Sequence, residues 1–193
     1  MVSKVLASAL VCVIVAFLIV LFVQRTSPLN DPWASYLAPA SVCPNADNQN
    51  LPNADQLRSM RCLINWARRH RRLQSVTWSH LLNRSARLKI DADARCQQFT
   101  HTPCGQSFDH AFQQVDFGKG HAASRVGENL GYGQDEEGSP RHIVDHWLNS
   151  PEHRQNLFDP GWRLGGVAFL RLPSFLGHPN IELWASQFGL ILG

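Results

Sequence analysis

No CxxC pair occurs in this 193-residue chain, although it contains five cysteines. That absence argues against a zinc ribbon or finger, whose ligands come at such spacings. No internal repeat is visible, and nothing resembles a nucleic-acid-binding module, so nucleic acid is not an expected partner. An excess of either charge is also missing, since 18 Lys and Arg against 15 Asp and Glu give a formal net charge of +3. Between Val5 and Val23 there is no charge at all.

That charge-free run of nineteen residues, "VLASALVCVIVAFLIVLFV", would span roughly 28 Å as a helix, close to the hydrocarbon thickness of a bilayer. A cleaved secretory signal has a shorter apolar core, about 7–15 residues, with a small-residue cleavage site close behind it. "QRTSPLND" offers no such site, and "LAPA" at Leu37 to Ala40 lies too far downstream. The expectation is an uncleaved signal anchor over residues 1–24, a single-pass transmembrane helix, with secretion after signal cleavage as the alternative. Lys4 and Arg25 flank the run almost equally, so charge bias barely sets its orientation.

Cysteine usage sets it better. Cys12 lies within the apolar run, whereas Cys43, Cys62, Cys96 and Cys104 lie in the polar part. Four cysteines following an export signal suggest two disulfides and an oxidising compartment. Three connectivities are available, of which Cys43–Cys62 and Cys96–Cys104 are favoured because each closes a local loop. The domain is therefore expected outside the cytoplasm. Its one strong charge cluster is "RRHRR", Arg68 to Arg72. This reads as the solvated end of a helix whose cations complement the dipole, with contact to anionic phospholipid or envelope polymer as the alternative.

Residues 25–52, rich in Pro, Ser and Ala, read as a tether and N-terminal extension, and residues 53–193 as the domain. Asn53 with Gln56 makes a capping box, and Leu57, Met60, Leu63, Ile64 and Ala67 follow at helical spacing. Ser79 is a good N-cap for a second helix, with Leu81, Ser85, Leu88, Ala92 and Phe99 expected toward the core. A long loop with a short helical piece (Phe108, Phe112, Val115) then runs through Gly-rich "FGKGHAASRVGENLGYG". Ser139-Pro140 and Ser150-Pro151 each open a further helix, Pro standing at the first helical position. Ile143, Val144 and Trp147 give the first of these its apolar face. Two strand-like runs, Leu164 to Leu170 and Ile181 to Phe188, close the chain. Helices first and a hairpin last predict an α+β or three-layer domain.

The candidate site residues are His101 in "QQFTHTPCG", Glu128 in "RVGENLGYG" and His153 in "NSPEHRQN". Two imidazoles and a carboxylate suit a divalent metal such as zinc with a fourth position open for water, and such a water can act as a nucleophile. The same residues can instead be scaffold: Glu128 accepting backbone amides, His153 and Asn156 closing a helix junction. His142 and His146, four apart, read as a solvated helix face.

"FTHTPCG", "GENLGYG", "IVDHWLNSPEHRQNLFDPGWRLGGVAF" and "WASQFG" together resemble the CAP superfamily of cysteine-rich secretory, antigen 5 and pathogenesis-related proteins, nearest to its bacterial SCP-like branch. The resemblance covers about Asn53 to Gly189. It implies a three-layer α-β-α sandwich, with His101 and His153 as cavity histidines and Glu128 as the first cavity glutamate. A second glutamate of the eukaryotic pattern falls at Ser150, which leaves that site incomplete, with Glu152 near enough in sequence to substitute. The resemblance also supports the local disulfide pairing. It makes Trp147, Ser150, Pro151 and Asn156 architecture, and turns His153 into a cleft.

Three functions are compatible with these residues. The leading one is a membrane-anchored extracellular module that binds a lipid, an envelope component or a protein. The second is a metal-dependent, peptidase-like hydrolase using His101, Glu128 and His153. The third is a structural or adhesive module whose polar cluster is scaffold.

Overall fold

A computed structural model describes residues 31–192. The expected anchor over residues 1–24 lies outside the described residues, and among those described no helix is long and apolar enough to cross a membrane. The fold is carried by one unit that begins at Ser35.

Helix α1, Asn53–His70, buries Met60, Leu63, Ile64 and Ala67 on one face, as the spacing predicts. The capping box does not form. Pro52 occupies the N-cap and has no side-chain acceptor to offer, so Asn53 is already helical. The Gln56 side chain instead donates to the Asn48 carbonyl. A two-residue strand β1, Thr77–Trp78, leads into α2, His80–Cys96. Its N-cap is Ser79, whose Oγ accepts from the Leu82 amide at 3.4 Å.

The core face of α2 is only partly the one expected, since Ser85 and Ala92 are buried as anticipated but the two expected leucines are not. Leu81 and Leu88 are 39% and 36% exposed, whereas Leu82, Ser85, Ala86, Lys89, Ile90 and Asp93 are buried. The buried stripe carries an ammonium and a carboxylate among its apolar side chains, which disguised it as a solvent face. Phe99 lies beyond the helix end.

After α3, His110–Gln114, the Gly-rich stretch expected as loop forms a twelve-residue strand, β2, Ala123–Gln134. Its glycines are there for contact with helices. A Cβ on Gly131 would sit 3.0 Å from Ile143 and 3.3 Å from the Trp147 indole nitrogen, and one on Gly127 would meet Asn156 and Trp162. Helices α4, Pro140–Asn149, and α5, Pro151–Leu157, start at the two Ser-Pro signals. Strands β3, Leu164–Phe175, and β4, His178–Leu192, extend well beyond the apolar runs that announced them. They join through Leu176 and Gly177, both at positive φ (52° and 83°), as a tight two-residue hairpin turn requires.

The four strands lie in the order β1-β3-β4-β2, with β1 parallel to β3 and the other pairs antiparallel. Strand alternation then sorts the two faces. Ala86 and Ile90 of α2 pack against Leu130, Leu183 and Ala185 on one face. Gly131, paired with Trp184, turns the other face toward α4, and Gly127 turns it toward α5. Helix α1 packs against α4 and β3. Helices thus cover both faces of a mixed sheet.

Disulfides join Cys43 to Cys62 and Cys96 to Cys104, the local pairing. The first ties the N-terminal extension to α1. The second closes an eight-residue span that contains His101.

Candidate functional site

His101 follows α2 inside the loop closed by Cys96–Cys104, and the residue before it is held at both backbone groups. Lys89 Nζ donates to the Thr100 carbonyl at 2.6 Å, and Asp93 Oδ1 accepts from the Thr100 amide at 3.3 Å. Lys89 and Asp93 stand one helical turn apart, so both reach the same peptide from one face of α2. Burial lowers the Lys89 pKa against the pull of Glu128 and Asp93. Burial also raises the Asp93 carboxyl to about 6, against the opposing influence of Lys89 and the Thr100 N–H.

Glu128 projects from β2 opposite Gln187 of β4. Its carboxylate is buried and has three donors around it. His101 Nδ1 lies 2.8 Å from Oε1, Lys89 Nζ lies 3.6 Å from the same oxygen, and Gln187 Nε2 donates to Oε2 at 2.8 Å. A carboxylate oxygen is the acceptor in this bond, so Nδ1 of His101 carries the hydrogen.

His153 comes from the first turn of α5. The Asn129 side chain fixes this helix to β2 by donating to the His153 carbonyl at 3.0 Å, and it accepts from Asn156 Nδ2 at 2.9 Å. The Asn156 carbonyl accepts from the Trp162 indole at 2.8 Å. Asn156 thus ties α5 to β2 and to the segment that follows the helix, rather than closing the α4–α5 junction, and it also faces the cavity. The His153 pKa is lowered, first by burial and then by the nearby His101, with Glu152 opposing.

His101, Glu128, His153, Glu152, Asn156 and Phe108 line one cavity of about 320 Å³. The three candidate residues are thus brought together. Ser150 lies apart from it, and its hydroxyl donates to Glu152 at 3.3 Å. A larger neighbouring cavity of about 610 Å³ runs past Phe99, Tyr132, Ile143, Trp147, His146 and Ser150, and His153 lines this one too. His142 bonds Ser139 and the Glu136 carbonyl, and His146 faces solvent 3.8 Å from Glu137, so the helix-face pair does not converge.

Among the described residues, no three His, Cys, Asp or Glu side chains converge as a metal site. Glu128 explains why: both its oxygens are engaged and an ammonium stands beside it, so it is poorly placed as a third ligand. The donor chemistry of His101 and His153 does suit zinc.

Lys89, Asp93, Asn129 and Gln187 were missed in the sequence. The first two fall on the stripe of Leu82, Ala86 and Ile90, and that spacing was the available signal. Gln187 shared only the strand alternation of its neighbours.

The family model for the cysteine-rich secretory protein family, CAP, matches residues 62–180. The chain belongs to the CAP family. Three solved structures share its fold at low identity. An outer surface protein of Borrelia burgdorferi aligns with a TM-score of 0.60 at 19% identity, over 73% of this chain and 96% of that one. An extracellular protein containing an SCP domain from Bacillus anthracis gives 0.57 at 18%, over 73% of this chain and 41% of that one. A cysteine-rich secretory protein from Staphylococcus aureus gives 0.53 at 16%, over 75% of this chain and 40% of that one. The CAP domain here thus spans under half the length of the last two. Among curated proteins, none matches the sequence.

Proposed function

We propose that this CAP protein is held in a membrane by its N-terminal run, displays its domain outside the cytoplasm, and binds an amphiphilic ligand without turning it over. Two disulfides support the oxidising compartment. The observation that carries the ligand reading is the position of His153, shared by the cavity that holds His101, Glu128 and Asn156 and by the larger one that runs past Phe99, Tyr132 and Ile143. A lipid or lipid-like envelope component would lay its chain past Phe99, Tyr132 and Ile143, and its head group would meet His101, His153 and Asn156. Binding is favoured over hydrolysis because both oxygens of the buried cavity carboxylate are already engaged by protein groups. With His101 on Oε1, Gln187 on Oε2 and Lys89 3.6 Å from Oε1, Glu128 is poorly placed to take a proton from a substrate water. Glu152, the stand-in for a second glutamate, lines the same cavity and accepts from the Ser150 hydroxyl.

The test is native mass spectrometry of the full chain, extracted in mild detergent from an oxidising compartment. A lipid-sized adduct is expected, with occupancy reduced by Phe99→Ala, a substitution at a half-exposed ring that leaves the core intact. A chain carrying nothing beyond the loss of hydrogens to two disulfides would sink the reading in favour of a protein-interaction or structural module.

The hydrogen bond from His101 to Glu128 favours a second reading, a metal site of two imidazoles. Bound there, zinc would supply Lewis acidity and a water of lowered pKa, while His101 and His153 would hold the ion and Glu128 would fix the His101 ring. A zinc-sized mass excess lost in both His101→Ala and His153→Ala would establish it. Their absence of effect on metal content would remove it.

A further inference from the structure

The cluster "RRHRR" divides in the fold. Arg68 is fully buried and donates to the carbonyls of Gln74, Leu157 and Asp159. Arg69, His70, Arg71 and Arg72 stay exposed where α1 ends. Elsewhere among the described residues five arginines meet acids, Arg58 with Asp55, Arg87 with Asp91, Arg125 with Asp159, Arg141 with Asp47 and Arg171 with Glu182, while exposed Arg84 and Arg95 stand singly without one. Among the described residues no carboxylate pairs with Arg69, Arg71 or Arg72. Arg69 donates to the Ser75 hydroxyl and Arg71 to the Tyr36 hydroxyl, both neutral. Arg163, also exposed, donates only to the Pro160 and Trp162 carbonyls and is close enough to repel the Arg68 charge. Four arginines without acid partners thus gather at one end of a domain that carries 16 Lys and Arg against 15 Asp and Glu from Asp31 onward.

The tether enters the domain at this same end. Tyr36 is in ring contact with His70 at 5.1 Å and bonds Arg71. Eleven residue steps separate Arg25, at the close of the charge-free run, from Tyr36, and they can extend at most roughly 39 Å. An anchored chain therefore keeps this end near the bilayer. Attraction to an anionic surface acts within a Debye length, about 8–10 Å, which the tether allows.

We infer that Arg69, Arg71, Arg72 and Arg163 form a docking surface for the anionic phospholipid headgroups of the membrane that holds the N-terminal run. The inference rests on the reading of that run as an anchor. Docking fixes which end of the domain faces the bilayer. His101 and Glu128 lie beyond the opposite, C-terminal end of α2 and on β2, on elements that take no part in the patch.

The test uses the full chain in vesicles, with a donor fluorophore introduced as an unnatural amino acid at exposed Gln74 and an acceptor on the lipid headgroups. Energy transfer is expected to be higher in phosphatidylcholine with about 30% phosphatidylglycerol than in phosphatidylcholine alone. In the triple variant R69Q/R71Q/R72Q it should fall to the neutral-lipid level. About 1 kcal/mol per arginine predicts a shift on the order of 100-fold in the ratio of docked to undocked domains. A donor at exposed His178, at the far end of the β3–β4 hairpin from Arg163, reports folding and insertion with a smaller composition effect. Equal transfer on both lipids, or an unchanged triple variant, overturns the docking surface. Loss of the signal to inorganic phosphate at matched ionic strength assigns the patch to free phosphate and overturns it as well. Release of the chain from both vesicle types by alkaline carbonate removes the anchor reading itself, and the docking surface with it.

Discussion

Lys89 and Asp93, one turn apart on α2, grip the two backbone groups of Thr100 from the same side, at 2.6 Å and 3.3 Å. The grip connects a buried helix face to the loop that presents His101. Lys89 also faces Glu128, so replacing it with Met would leave two buried carboxylates without their cation. Removing one partner of a buried pair costs about 3–5 kcal/mol. Lys89→Met is expected to lower stability by that order in urea denaturation, and to broaden the His101 ring resonances by freeing the loop.

Asp93 gives the pH dependence a definite sign. Its folded pKa is raised to about 6 from an ordinary 3.8, so between those values the folded chain holds a proton that the unfolded chain has released. Stability from this group therefore falls as pH rises from about 4 to 6 and is flat above that. The full shift corresponds to an upper bound of about 3 kcal/mol. Asp93→Asn should flatten this part of a stability profile against pH. Burial raises Glu182 in the same direction, so a smaller slope is expected to persist. An unchanged slope would show that Asp93 is not its source.

The helices announced themselves through spacing and capping, and the α1, α4 and α5 boundaries follow from Pro and Ser positions a reader can see. The α2 face and strand β2 did not. In both, the deciding information lies on a neighbouring element. Lys89 and Asp93 look solvent-bound until Thr100 and Glu128 are placed against them. "GENLGYG" looks like loop until α4 and α5 are laid across it, where a side chain at Gly127 or Gly131 would have no room. His101, Glu128 and His153 could be named from the sequence because the motifs carrying them recur in the CAP family. That Glu128 is surrounded by His101, Lys89 and Gln187 could not.

The tightness of β2 yields its own test. A methyl group at Gly133 would land on the backbone of Glu137 and Gly138, which cannot yield as a flexible side chain would. Gly133→Ala is expected to cost about 1–3 kcal/mol or more as overpacking. Gly120→Ala, at φ +81° with nothing within 4 Å, should cost less, through backbone strain alone. Thermal midpoints of the two variants, measured side by side, check the order.

Arg68 and Arg69 are neighbours with opposite expectations. Arg68→Met removes a buried donor from three carbonyls of the α1–β1 and α5–β3 connections. Charged hydrogen bonds of this kind are each worth about 1.5–3 kcal/mol, so a loss of at least about 3 kcal/mol is expected. Arg69→Gln, at the exposed end of the helix, should stay within about 0.5 kcal/mol. Comparable losses in chemical denaturation of both would contradict the division of the cluster.

The Cys96–Cys104 bridge closes the span containing His101, so its removal should separate stability from site geometry. Restricting so short a loop in the unfolded chain is worth about 2–3 kcal/mol. A Cys96→Ser/Cys104→Ser variant is therefore expected to fold with that reduced stability, because the α2–sheet core is untouched. Lys89 and Asp93 still hold Thr100 at the near end of the loop, whereas the Thr102–Gly105 side is released. Hydrogen exchange should thus rise from Thr102 onward more than at Thr100. Equal exchange along the whole loop would mean that the disulfide, rather than the Lys89–Asp93 grip, is what keeps His101 against Glu128.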